Sequence, residues 1–233
     1  MQKSYFEMTL EKTIRKTEKL LQQLQSVRRS YGNGEIEKTM AESVSAVKIA
    51  EEVTLLARSL PAHTGHPRAK EIVQSAIREI IPVEIGFTEE GWLSLRIPIL
   101  LPRKEKSSRS YIRDFLYPVL ERFSAGMERI LYRNCVLIFR HVYDQNRPER
   151  EYRDHDNIEL NTVVDAIAMF FLVDDTPLEC RHYYCSAVGI RERTEVYIVH
   201  RNEFEEWLAL ESSIPEIGLS LHKNPPIPGK KHT

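Results

Sequence analysis

Two aspartates stand two residues apart in Arg153-Asp154-His155-Asp156-Asn157, and a second acidic pair, Asp174-Asp175, follows 18 to 19 residues after Asp156. Acidic oxygens gathered at one point bind hard divalent cations such as Mg²⁺ or Mn²⁺. A cation held there can activate water and stabilise charge on a phosphate under attack. If residues 152–156 are extended, Asp154 and Asp156 point to the same side, because side chains alternate along a strand. The pattern therefore points to metal-dependent phosphodiester chemistry, with Asp154, Asp156, Asp174 and Asp175 as candidate ligands. The plainer reading is a set of solvated acids at caps and turns.

The charge distribution supplies a substrate class. The chain has 33 Lys and Arg against 34 Asp and Glu, so the total says nothing about partners. Residues 1–95 are neutral, residues 96–153 carry a net +6 and residues 154–233 a net −7. A basic stretch running into a carboxylate cluster suits a nuclease, in which cationic side chains track phosphates. Arg103, Lys104, Lys106, Arg109 and Arg153 are the candidates for that contact. No run of about 18 apolar residues exists, which predicts no membrane span. The N-terminus lacks the charged and apolar regions of a signal peptide. Cys135, Cys180 and Cys185 are a sparse, odd set that suits a reducing cytoplasm better than a disulfide framework.

The elements that must position these residues can be read from periodicity. Residues 4–31 predict a long helix with a stripe through Leu10, Ile14, Thr17, Leu21 and Leu24. Tyr31-Gly32-Asn33-Gly34 ends it, and a second helix follows over 35–60, which predicts an antiparallel helical hairpin. A third helix is expected over 67–81, between Pro67 and Pro82. A hairpin with one apolar stripe cannot hide it alone; it needs the third helix, the following domain or a second copy. From Val83 the period becomes strand-like. A β-hairpin is expected over 83–101, with Pro98 confining the second strand to an edge or a bulge. A helix over 110–126, a central strand at 135–139 and a buried helix over 157–173 follow, the last capped by Asp156 or Asn157. Strands at 181–188 and 194–199 and a short helix at 203–210 complete the pattern. The domains expected are 1–82, 83–212 and a Pro- and Lys-rich disordered tail, 213–233. A helix of 16 residues would hold Asp156 and its far-end aspartates about 24 Å apart, so a shared site needs a shorter helix or a chain reversal.

The spacing Asp154-x-Asp156-Asn157, then Val163-Val164-Asp165-Ala166-Ile167, then Asp174-Asp175, resembles the signature of the RusA family of Holliday-junction resolvases. The likeness spans about residues 93–200, with Ile97-Pro98 and Pro102-Arg103-Lys104 before the motif and Glu195–Val199 after it. It implies an α+β fold with a mixed sheet, a homodimer, and Mg²⁺-dependent cleavage of branched DNA. It would make Asp154, Asp156 and Asp175 catalytic metal ligands, with Asn157, Asn161 and Asp165 in support. Two departures stand out. Asp165 falls one position late, and the family's lysine after the Asp-Asn is replaced by Leu160 or Asn161. Arg153, Arg103 or Lys104 can substitute for its charge. Without it, the rival expectation is a non-catalytic dimeric DNA-binding or scaffold protein on a degenerate resolvase fold.

Weaker signals are set aside on chemistry. Cys180-x-His182-x-x-Cys185 has zinc-like residues, but in a strand Cys185 faces away from the other two and a fourth ligand is missing. Tyr183-Tyr184 read as sheet and core residues, with base stacking as a minor alternative. Neither a nucleophile elbow nor a phosphate-cradling glycine loop is present.

Overall fold

The computed structural model describes residues 4–104, 108–148, 152 and 154–226. The chain divides into two compact units, residues 1–76 and 77–233. The architecture is α+β, with helices first and a mixed sheet after them. Among the described residues no helix is long and apolar enough to cross a membrane.

The first unit is a helical hairpin. Helix α1 spans Tyr5–Gly32 and α2 spans Ile36–Ser59. Ser4 starts α1 with a capping box: its hydroxyl accepts from the Glu7 amide, and the Glu7 carboxylate takes the Ser4 amide at 2.8 Å. Gly34, with φ of +74°, turns the chain where a side chain would be strained. The seam between the helices mixes polar and apolar side chains. Thr13, Ser30, Ala46 and Ile49 are buried in it. Glu42 accepts from the Ser26 and Ser30 hydroxyls, both at 2.8 Å, and Lys16 pairs with Glu52. The apolar stripe read from the sequence is real in its spacing but lies elsewhere: Leu10, Ile14, Leu21 and Leu24 are exposed. The seam uses the neighbouring positions, where Leu20, Gln23 and Val27 are half-buried beside Thr13 and Ser30. Helix α3, Ala69–Ile80, follows a 3-10 turn at Leu60–His63.

The second unit is built on a five-stranded sheet of order β1-β2-β5-β3-β4. Strands β1 (Glu84–Phe87) and β2 (Leu93–Ile97) form the expected hairpin, turned at Gly91 with φ of +96°. Strand β2 is not at an edge; it pairs antiparallel with β5 (Arg193–His200). Pro98 is accommodated because the strand ends at Ile97, one residue before the missing amide donor is needed. The apolar run at 135–139 extends to a ten-residue central strand β3, Cys135–Asp144, almost wholly buried. It pairs antiparallel with β5 and parallel with β4 (Cys180–Gly189), the second edge. Helices α4 (Ser108–Ala125) and α5 (Asn161–Phe171) pack together, with Tyr117 against Phe170 and Phe123 against Phe171.

Strand alternation sorts the core into two faces. One holds Val136, Ile138, Tyr197 and Val199 under Trp207 of α6 (Phe204–Glu211). That face also carries a buried charge cluster. Glu195 accepts from Arg140 at 2.9 Å, from Arg193 at 2.6 Å and from the Tyr197 hydroxyl at 2.8 Å. The segment expected to begin a disordered tail is ordered as far as the structure describes it. Arg193 donates to the Glu216 carbonyl, Arg96 donates to the Leu219 carbonyl, and Phe87 and His222 exchange backbone hydrogen bonds at 2.7 and 2.8 Å. Gly86 permits this approach, since a Cβ there would lie 2.7 Å from the His222 carbonyl oxygen. Residues 227–233 lie outside the described residues.

Candidate functional site

The acidic motif follows β3, but not as the sequence suggests. Asp154 is extended, and His155–Asn157 form a single 3-10 turn, so Asp156 does not continue a strand alternation. The next three residues are not helical. Ile158 and Arg103 form an isolated antiparallel bridge, the Lys104 amide donates to the Asn157 carbonyl at 3.0 Å, and the Glu159 amide donates to the Pro102 carbonyl at 2.9 Å. This clip fastens 102–104 to 157–159. Ile158 and Leu160 are buried in it, so their apolar character comes from the clip and not from a helix.

Both neighbouring helices start from the clip. The Ser108 hydroxyl, at the first residue of α4, donates to the Arg103 carbonyl at 2.5 Å. Helix α5 begins at Asn161, four residues later than expected; its N-cap is Leu160, not Asp156 or Asn157, and the side chain that bonds its first turn belongs to the residue before the cap. The buried Glu159 carboxylate accepts from the Thr162 amide at 3.3 Å and hydroxyl at 3.1 Å. A carboxylate there also complements the positive end of the helix. Arg103, Lys104, Arg109, Asp154, Asp156, Asn157 and Asn161 are all exposed at or next to the clip, and Asp165 is exposed one turn into α5. Lys106 and Arg153 lie outside the described residues.

Asp174 and Asp175 lie elsewhere. After α5 the chain leaves toward the start of β3: the Tyr132 amide donates to the Phe171 carbonyl and the Val173 amide to the Tyr132 carbonyl. Asp174 accepts from the Thr176 amide, closing a local turn. The Asp154–Asn157 turn, by contrast, lies beside His141, whose ring is 5.4 Å from that of His155. From Cys135 to His141 the strand rises roughly 20 Å. Helix α5 is shorter than expected, but the reversal needed to bring Asp175 back does not occur. Among the described residues no three His, Cys, Asp or Glu side chains converge closely enough to hold a metal ion together. Asp175 is therefore set apart from Asp154 and Asp156.

The motif also holds a residue that counting acids overlooks. The His155 ring stacks on Tyr184 at 5.5 Å with planes 22° apart, and Tyr184 hydrogen-bonds His182. Burial lowers the His155 pKa, against the opposing pull of Asp154 and Asp156, so the ring is neutral near pH 7. Tyr183, its strand neighbour, turns the other way and packs on Trp207. Tyr184 is 38% exposed, so the pair divides between core and open face. The signal was the alternation His182, Tyr184, Ser186 along an edge strand.

No curated protein and no solved structure matches the chain. A family model does match, over residues 2–224, which takes in both units and the clip. The chain belongs to that family, DUF6100, a family of unknown function.

Proposed function

We propose that residues 77–226 form a module that binds the phosphodiester backbone of branched DNA. The observation that supports it is the clip, which sets Arg103 and Lys104 against the Asp-x-Asp-Asn turn across more than fifty residues of chain. Two cationic side chains stand there beside the first residue of α4, and helix starts favour anions. The stacked His155 and Tyr184 rings put aromatic surface beside the turn, with Tyr184 38% exposed, against which an unpaired base of a junction can pack. The three free, buried cysteines accord with a reducing compartment, and a cytoplasmic location goes with the proposal.

The test is fluorescence anisotropy with a four-way junction over a range of salt. The double variant Arg103→Ala/Lys104→Ala is expected to weaken binding about tenfold or more. It should also reduce the slope of log affinity against log salt by about 1.8, or 0.9 for each lost phosphate contact. An unchanged slope removes these two residues from the interface.

A second reading is metal-dependent cleavage of the same DNA, favoured by the two-residue spacing of Asp154 and Asp156 on an exposed turn. Mg²⁺ commonly takes one or two protein carboxylates and completes its shell with waters and substrate phosphates. Asp154 and Asp156 would hold the ion, and the ion would supply an activated water. Junction cleavage with Mg²⁺ or Mn²⁺ decides between binding and cutting. If the chain cuts, Asp154→Asn and Asp156→Asn should each abolish it while binding persists. Asp175→Asn, at the other end of β3, should leave it intact; loss of cutting there would restore the three-aspartate site.

A further inference from the structure

We infer that the exposed apolar face of the α1/α2 hairpin is the contact between two copies of this chain, with α1 of one copy lying antiparallel on α1 of the other. The inference does not depend on the DNA reading.

The seam of the hairpin runs through Thr13, Gln23 and Ser30 of α1 and through Thr39, Ala46 and Ile49 of α2. One residue further along each helix stands the exposed set: Ile14 and Leu24 in α1, Met40 and Val47 in α2. A step of one residue turns a helix by 100°. In an antiparallel pair that step carries both sets to the same side, so the apolar stripe of α1 is continued by Met40 and Val47 in the first half of α2. Leu21 and Met40 are 57% and 50% exposed, and Val47 is 61% exposed. Leaving such a continuous surface in water is costly, and single copies rarely do so without a partner.

What identifies the partner is the order of residues along the α1 stripe. Read forward it is Glu7, Leu10, Ile14, Thr17, Leu21, Leu24, Arg28. Reversed about Thr17, Ile14 faces Leu21, Leu10 faces Leu24, and Glu7 faces Arg28. The positions match within one residue, a rise of about 1.5 Å. Apolar meets apolar, and the only two charges on the stripe, at its two ends, are of opposite sign. A stripe that reads the same when reversed is self-complementary, which a twofold interface requires.

The test is the mass of the full chain by sedimentation equilibrium, with helicity checked by circular dichroism. The wild-type chain is expected to be a dimer at micromolar concentration. Ile14→Lys and Leu21→Glu should each weaken it by at least about tenfold. Combining them should restore it, because each introduced charge then faces its opposite on the other copy. Thr17→Cys, beside the twofold axis, should form a disulfide-linked dimer under mild oxidation, while Gln22→Cys, on the opposite side of α1, should not. A monomeric wild-type chain, single variants that remain dimeric, a double variant as weak as the singles, or equal cross-linking at both cysteines would each overturn the assignment.

Discussion

Replacing Glu195 with glutamine is expected to destabilise the second unit by about 3–5 kcal/mol, the usual loss when one partner of a buried ion pair is removed. The Glu195 side chain is 1% exposed and balances two arginines that are themselves almost fully buried. With the carboxylate gone, Arg140 and Arg193 keep their charges where water cannot reach them. Arg193 also anchors the Glu216 carbonyl, so the loss spreads to the C-terminal segment. Urea unfolding at pH 7, followed by far-ultraviolet circular dichroism, measures it. Equal midpoints for variant and wild type would show that the cluster adds nothing. Replacing the pair together, Glu195→Gln with Arg140→Met, should recover part of the loss, because one uncompensated charge leaves with it.

The same residue gives a pH dependence of known sign. Burial works to raise the Glu195 carboxyl, but Arg140, the Tyr197 hydroxyl and Arg193 outweigh it and hold the group below its usual range. A carboxyl whose folded pKa is lowered contributes stability above its unfolded pKa of about 4.3, and that contribution is lost as pH falls through the lower folded value. Wild-type stability should therefore drop on acidification below about pH 4.3, and the glutamine variant should drop less.

Trp207→Ala is expected to cost a similar ~3–5 kcal/mol. Trp207 is fully buried on the eight-residue helix α6, with its ring 5.6 Å from that of Tyr197 and 5.9 Å from that of Tyr183. A helix that short has little stability of its own, so its hold on the sheet rests on this side chain. Removing it leaves a cavity between α6 and the Val136, Ile138 and Val199 face. Trp207→Phe should cost clearly less. It keeps most of the ring packing and deletes an indole N–H that has no hydrogen-bond partner among the described residues. Thermal unfolding of both variants is the measurement, and equal losses would mean the ring contacts are not what holds α6.

The elements whose periodicity is local are legible in the sequence. The hairpin, the β1/β2 turn at Gly91 and the central strand all follow from spacing and turn chemistry. The expected helix overruns the start of α5 because Ile158 and Leu160 are as apolar as the helix they precede, yet they are buried by the clip to Pro102–Lys104. No window of sequence around the motif contains that partner. The same limit applies to Asp175, whose position depends on where Val173 meets Tyr132. The spacing of the α1 stripe is legible but its exposure is not, because the adjoining seam, through Thr13, Gln23 and Ser30, interleaves polar residues with Leu20 and Val27 and shows no apolar period of its own.

The sheet also dictates an order of assembly. Strand β3 is complete at residue 144, but both its neighbours, β4 and β5, lie between residues 180 and 200. Strand β2 waits longer still, since its pairing with β5 joins residues about a hundred apart. At synthesis rates of about 5–20 residues per second, the apolar run Cys135–Phe139 is unpaired for several seconds after it leaves the ribosome. Contacts this distant in sequence also close slowly. The helical hairpin, joined by three residues, has no such delay. A nascent chain of this protein thus carries a finished hairpin ahead of an unfinished sheet, and its demand for chaperones falls on residues 93–200.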